Sequence, residues 1–190
     1  MSSWSPTGAI AYLQGGDIWI LEQGATPAPF FTSEAQESDA TFSPDGRWLA
    51  YKSNVSGRQE IYVRPFPGAD PAVQVSRDGG VNPAWAPDGR RIFYLQLRQP
   101  PPHVLMSVDV ELGDAFRTGR PAPLVDPWPA LSWTNVRGYD VFADGSFVTD
   151  EVSGDPESGV PTTARDRFRV SELSVVVNFF EDLQARLPSP

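Results

Sequence analysis

The sequence predicts an all-β protein, a β-propeller of about four four-stranded blades followed by a short C-terminal helix. Three observations carry that expectation. A turn motif recurs: Trp4-Ser5-Pro6-Thr7-Gly8, Phe42-Ser43-Pro44-Asp45-Gly46, Trp85-Ala86-Pro87-Asp88-Gly89 and a degenerate Phe142-Ala143-Asp144-Gly145. Its glycines, at 8, 46, 89 and 145, stand 38, 43 and 56 residues apart, which brackets the ~40–45-residue period of a propeller blade. β-rich runs then follow each copy in the same order, and 20 prolines and 16 glycines among 190 residues supply the turns that many short strands need.

Each element follows from its residues. Proline presets φ near −65° at the first corner of the turn, aspartate can bond the local backbone at the second, and glycine takes the positive φ that a Cβ opposes. After each turn comes a first run, Ala9–Leu13, Trp48–Tyr51 and Ile92–Leu95. A second run follows, Asp17–Leu21, Glu60–Val63 and Val104–Val108, and then a short third, Pro29–Thr32, Val73–Ser76 and Ala122–Val125. An innermost strand leads into the next turn, where its closing Trp or Phe would fill the wedge between blades. The runs are apolar on both faces, as in sheets stacked between two neighbours. The blades are expected over about 4–36, 37–79, 80–127 and 137–179. The tail reads as a helix over 178–187: Asn178 as N-cap with Glu181 three residues on, Phe179, Phe180, Leu183 and Leu187 on one face, and Pro188 as the stop.

Composition bounds the function. With no cysteine, disulfides, thiolate catalysis and Cys-based zinc sites are excluded. A formal charge of −9 opposes binding to a phosphate backbone, so no nucleic-acid partner is expected. A hydrophobic content of 40% is too high for a disordered chain. No apolar run is long enough to span a bilayer, and the start, MSSWSPTGAI, has neither a basic nor an apolar signal region.

The same residues resemble the TolB-like propeller repeat with its aromatic-Ser-Pro-Asp-Gly signature, across roughly residues 4–180. They also resemble the extracytoplasmic propeller at the C-terminus of many bacterial serine/threonine kinases, through Phe42–Tyr51, Glu60–Gly68, Asp78–Trp85 and the ending Leu173–Leu183. The kinase half has no counterpart here: no Gly-rich phosphate loop, no His-Arg-Asp segment and no Asp-Phe-Gly. The resemblance implies a non-enzymatic binding or sensor module for a protein or small-molecule ligand, in a periplasmic or extracytoplasmic setting. Two alternatives stand beside it: an accessory propeller segment of a prolyl-oligopeptidase-type peptidase, and a purely structural assembly module.

Candidate chemistry is sparse. His103, the single histidine, has no Gly-x-Ser-x-Gly elbow to serve and is expected at the surface or a sheet edge. Asp45, Asp88 and Asp144 are expected to form turns rather than a calcium site, which needs six or more oxygens at one point. Arg58, Arg64, Arg77, Arg90, Arg91 and Arg98 could line a ligand-facing surface. Trp128 and Trp133, in a loop between blades three and four, together with Arg64 and Arg98, make up the expected ligand or partner surface. A polar insert spans 153–169. No catalytic residue, cofactor or metal is expected. TolB-like propellers usually close with six or more blades, so the chain reads as an arc of a larger ring rather than a closed four-blade ring. An arc leaves apolar faces on its end blades, with Ile18 and Ile20 at one end and Val175 and Val177 at the other, and self-association or pairing with missing blades is then expected.

Overall fold

The turn that predicts the fold also shows how the chain executes it. The Gly46 amide donates to the Ser43 carbonyl at 2.9 Å, closing a turn with Pro44 and Asp45 at its corners and Gly46 at φ 71°. The Ser43 hydroxyl donates to Asp45 Oδ1 and accepts the Trp48 amide, and Asp45 Oδ1 also accepts the Arg47 amide. Gly8 and Gly89 close equivalent turns onto Ser5 and Ala86. A Cβ at Gly46 would lie 2.9 Å from Ser5 Oγ, so this glycine is needed for close approach between neighbouring turns as well as for its φ.

The structure is a computed structural model describing residues 2–149 apart from 69–70, 101, 127–138 and 143–146. It contains strands and no helix among the described residues. The first sheet runs β1 (Ser2–Trp4), β2 (Ile10–Gln14), β3 (Asp17–Leu21), β4 (Ala28–Pro29). The second runs β5 (Glu37–Phe42), β6 (Trp48–Ser53), β7 (Glu60–Pro65), β8 (Val73–Gln74). Each is a four-stranded antiparallel meander in chain order. The third orders β9 (Val81–Trp85), β10 (Arg91–Gln96), β11 (Val104–Leu112) and β12 (Phe116–Thr118), with β13 (Ala122–Val125) also on β11. The extra strand has a simple cause. At nine residues β11 outreaches its counterparts, so it pairs β13 through Leu105–Ser107 and β12 through Val110–Leu112. The fourth sheet shows β14 (Tyr139–Val141) against β15 (Phe147–Thr149). The expected helix over 178–187, the insert over 153–169 and the remainder of the fourth expected blade lie outside the described residues.

The sheets stack face to face in chain order, and the innermost strands adjoin: β1 beside β5, β5 beside β9, β9 beside β14. Strand register decides which side chains face which neighbour. In the second sheet, Phe42, Leu49, Tyr51 and Tyr62 face the first sheet and bury Ala11, Ile18 and Ile20. Its other face, Trp48, Ala50, Ile61, Val63 and Val75, packs on Trp85, Ile92, Tyr94, Val104 and Met106. A third core joins Val81, Phe93, Leu95 and Leu105 to Tyr139, with Val141 and Phe147 against it. The expected two-faced apolar strands are thus what the middle sheets contain. One expectation is corrected: Ile18 and Ile20 do not lie on an open end face but are buried under the second sheet. Their parity in β3 turns them inward, and it is Trp19 between them that points the other way. Val175 and Val177 lie outside the described residues.

Antiparallel order separates the turns into two ends. One end carries the Pro-Asp-Gly turns and the loops leaving β3 and β7. The other carries the β2–β3, β6–β7 and β10–β11 hairpin loops and the connections from β4 to β5 and from β8 to β9. These are called below the turn end and the loop end.

Candidate functional site

At the loop end, β5 begins with two acidic residues drawn inward. The Glu37 amide donates to the Gly16 carbonyl at 3.0 Å, and the Gln36 amide to Asn54 Oδ1 at 2.9 Å, which ties the start of β5 to both hairpins. The ladder between β5 and β6 then slips between Ser38 and Thr41, a bulge with Asp39 at φ 56°. Asn82 occupies the same place in β9, at φ 55° beside an equivalent slip. A positive φ at a residue other than glycine is uncommon and costs energy, and bulges serve to re-aim side chains.

The Asp39 carboxylate is buried beside β6, where Lys52 Nζ stands 3.0 Å from Oδ2, an ion pair off that oxygen's hydrogen-bonding direction. Glu37 is 2% exposed. Its Oε1 accepts the Ser33 hydroxyl at 2.7 Å and the Ser53 hydroxyl at 3.2 Å, while Oε2 is buried with no hydrogen-bond partner among the described residues. These groups, with Gln36, Asn54, Gln59 and Leu13, line a pocket of about 340 Å³. A second cavity, of about 370 Å³, opens beside the inner strands toward the turn end, lined by Trp4, Thr41, Phe42, Ala84, Trp85 and Asp140. Its walls set the aromatic rings beside the polar Ser5, Thr41, Ser43 and Asp140, whereas the loop-end pocket combines two carboxylates, one ammonium and several amides.

The sequence-derived site residues fall elsewhere. Arg64 stacks its guanidinium 4.4 Å over the Phe31 ring, between the first and second sheets. Tyr51 lies there too, its phenol pushed up to about 12 by burial even though Arg64 works against the rise. Arg98 leaves the β10–β11 loop and grips Asp126 with two parallel bonds of 2.8 Å. Because β7 starts at the loop end, Arg64 lies near the turn end and Arg98 at the loop end, so the structure does not bring the two together. Trp128 and Trp133 lie outside the described residues. Among the other arginines, Arg58 holds Glu60 at 2.6 Å and donates to the Arg77 carbonyl, and Arg91 pairs with Asp109 at 3.2 Å.

His103 corrects another expectation: it sits at the start of β11 but is only 6% exposed. The Pro-rich loop folds back so that the Arg98 amide donates to its Nδ1 at 3.3 Å, and burial lowers its pKa, keeping the imidazole neutral at pH 7. Asp45 and Asp88 bond their own turn backbone. Burial alone would raise the Asp45 carboxyl, but hydrogen bonds from Ser43 and from the amide and guanidinium of Arg47 outweigh it and leave the pKa below its ordinary value. Asp144 lies outside the described residues. No group of three His, Cys, Asp or Glu suited to a metal occurs among the described residues.

Glu37, Asp39 and Lys52 were not singled out from the sequence. One signal was available: Asp39 and Asn82 both stand three residues before the aromatic that closes the inner strand. Nothing in the sequence distinguishes Glu37 from an exposed glutamate, because its burial depends on Ser33, Ser53 and Gly16 arriving from three separate segments.

Against this geometry, the chain is similar in fold to TolB-like propellers. A TolB-type protein of Agrobacterium tumefaciens superposes with a TM-score of 0.51 at 18% identity, over 62% of this chain and 48% of that one. A puromycin-hydrolyzing peptidase of Mycobacterium tuberculosis superposes at 0.50 with 19% identity, over 65% of this chain and 22% of that one. By sequence, the chain is 30% identical over 79 residues to a probable dipeptidyl-peptidase 5 of Emericella nidulans, covering 33% of this chain and 11% of that protein. The chain spans about a tenth of the length of the curated relatives it matches. No protein-family model matches it.

Proposed function

We propose that the chain is a non-enzymatic binding module that uses the loop-end pocket to hold a small cationic group, most simply the free ammonium of a peptide N-terminus. The observation that carries this reading is Glu37: a buried carboxylate with one oxygen satisfied and the other without a partner among the described residues, in a pocket where Lys52 already neutralises Asp39. An unmatched buried carboxylate oxygen is costly, and an entering ammonium would supply both the charge and the donors it lacks. The left-handed Asp39 adds a second sign, since strain of this kind concentrates at ligand sites.

A sensor role like that of the extracytoplasmic kinase propellers fits this reading. No helix among the described residues is long and apolar enough to cross a membrane. The second reading, an accessory propeller segment of a peptidase, is favoured by the peptidases among the proteins it resembles. Both readings place a peptide end at the propeller, and they differ in whether a hydrolase accompanies it.

Calorimetric titration with a short free-amine peptide and its N-acetylated twin tests the pocket. The free amine is expected to bind and the acetylated peptide not to. Glu37→Gln is expected to weaken binding by about tenfold or more, the loss of a charge-assisted bond. Equal affinity for both peptides, or an unchanged affinity in the variant, would overturn the reading.

A further inference from the structure

The loop-end pocket has one large apolar side chain among the described residues that line it, Leu13. Strand parity puts it there. In β2, Leu13 stands two residues after Ala11 and pairs with Ile18 of β3, so the three share the face turned to the second sheet. Ala11 and Ile18 are covered by that sheet, at 0% and 2% exposure, whereas Leu13, one step nearer the hairpin, is 46% exposed. Leu13 therefore borders the pocket with Glu37 and Asp39 instead of joining the core.

The polar lining is unevenly engaged. Asn54 Oδ1 accepts the Gln36 amide, which leaves the Asn54 amide nitrogen as a donor in the lining. The formal charges of Glu37, Asp39 and Lys52 leave the lining with one negative charge in excess. These features sort amines from one another. A free amino acid carries a carboxylate beside its ammonium. The cation of the described lining, Lys52, already stands on Asp39, so that carboxylate would enter an acidic pocket unpaired. A peptide N-terminus has an amide carbonyl in its place, an acceptor that the Asn54 amide nitrogen can serve. Its first side chain springs from the same Cα as the ammonium. An ammonium seated on Glu37 thus brings that side chain into the same space of about 340 Å³, at the small end of the ~300–1,000 Å³ of ligand pockets. Leu13 is the apolar surface waiting there.

We propose that the pocket takes the N-terminal residue of a peptide rather than a free amino acid, and that Leu13 makes it prefer an apolar first side chain. This rests on the reading of Glu37 as the ammonium acceptor. It adds to that reading a specificity residue and a class of ligand that the pocket rejects.

Calorimetric titration of the full chain with amidated leucyl-alanyl-alanine and seryl-alanyl-alanine, each free and N-acetylated, tests the proposal, with leucinamide and leucine as the charge pair. The leucine-first peptide is expected to bind about tenfold more tightly than the serine-first one, from the apolar contact. Leucinamide is expected to bind at least about tenfold more tightly than leucine. Leu13→Ser should bring the two free peptides within about twofold of each other, since it removes the apolar contact. The comparisons among ligands on the unaltered chain decide the matter even if this variant does not fold. Equal affinity for the two free peptides, leucine binding as well as leucinamide, or a preference for leucine that survives in folded Leu13→Ser would overturn the proposal and leave the ammonium reading standing. Free peptides that do not bind, or that bind no better than their acetylated forms, would overturn both.

Discussion

Two buried glutamates at the loop end have opposite fates. Glu60, 1% exposed, has both oxygens engaged: Oε1 accepts Arg58 Nε at 2.6 Å and the Gly79 amide at 3.0 Å, and Oε2 accepts the Ser76 hydroxyl. The same Ser76 oxygen accepts the Ile61 amide at 2.7 Å. Glu60 thereby pins the connection from β8 to β9, and the packing there is tight enough that a Cβ on Gly80 would meet Ser76 Oγ at 2.8 Å. Glu37, of similar burial, has two serine donors on one oxygen and, among the described residues, none on the other. A fully satisfied buried carboxylate rigidifies its surroundings, while a half-satisfied one is a standing cost that a ligand can relieve. The difference separates a carboxylate that holds the loop end together from one whose hydrogen bonding is left incomplete among the described residues.

The comparison breaks most visibly at Glu60. Glu60→Ala removes the acceptor for three donors, Arg58 beside it and Ser76 and Gly79 in the connection from β8 to β9. It is expected to cost about 3–5 kcal/mol, as for a buried ionic network losing one member, read as a lower denaturation midpoint in urea. A loss below ~1 kcal/mol would mean that Glu60 does not hold the loop. Glu37→Gln sharpens the contrast. It keeps an acceptor for the serines and gives the unmatched side a neutral amide, so its effect on stability is expected to stay within about 1 kcal/mol in either direction, while peptide binding weakens by about tenfold or more. If both substitutions destabilise alike, the two glutamates are structural equals.

The smallest effect concerns pH at the third buried polar group of this end, His103. Burial lowers its pKa below the 6.5 of the unfolded chain. Between the two values the unfolded state binds more protons, so stability rises with pH there. The contribution of the neutral imidazole is complete above about pH 6.5 and declines as pH falls through the folded-state value. His103→Gln should flatten that part of a stability–pH profile. An unchanged slope below pH 6.5 would show that the imidazole is solvated in solution.

Much of this molecule is legible from its residues taken in order. The Pro-Asp-Gly turns, the order of strands after them and the stacking of two-faced sheets follow from local rules: a fixed proline φ, a glycine that alone takes positive φ easily, and alternation along a strand. Those rules act over a few residues, and the repeat multiplies them. The sequence also determined that no thiol chemistry occurs. Tertiary structure decided the rest, because burial depends on what arrives from distant segments. Parity alone left open which face of β3 would be covered, and the arrival of the second sheet put Ile18 and Ile20 inside and Trp19 out. Arg64 was laid half-buried over Phe31 by the same stacking, and His103 was buried by the fold-back of its loop. Glu37 and Asp39 came to line one pocket only when the β2–β3 and β6–β7 hairpins closed around the bulge in β5, an arrangement that no local pattern encodes.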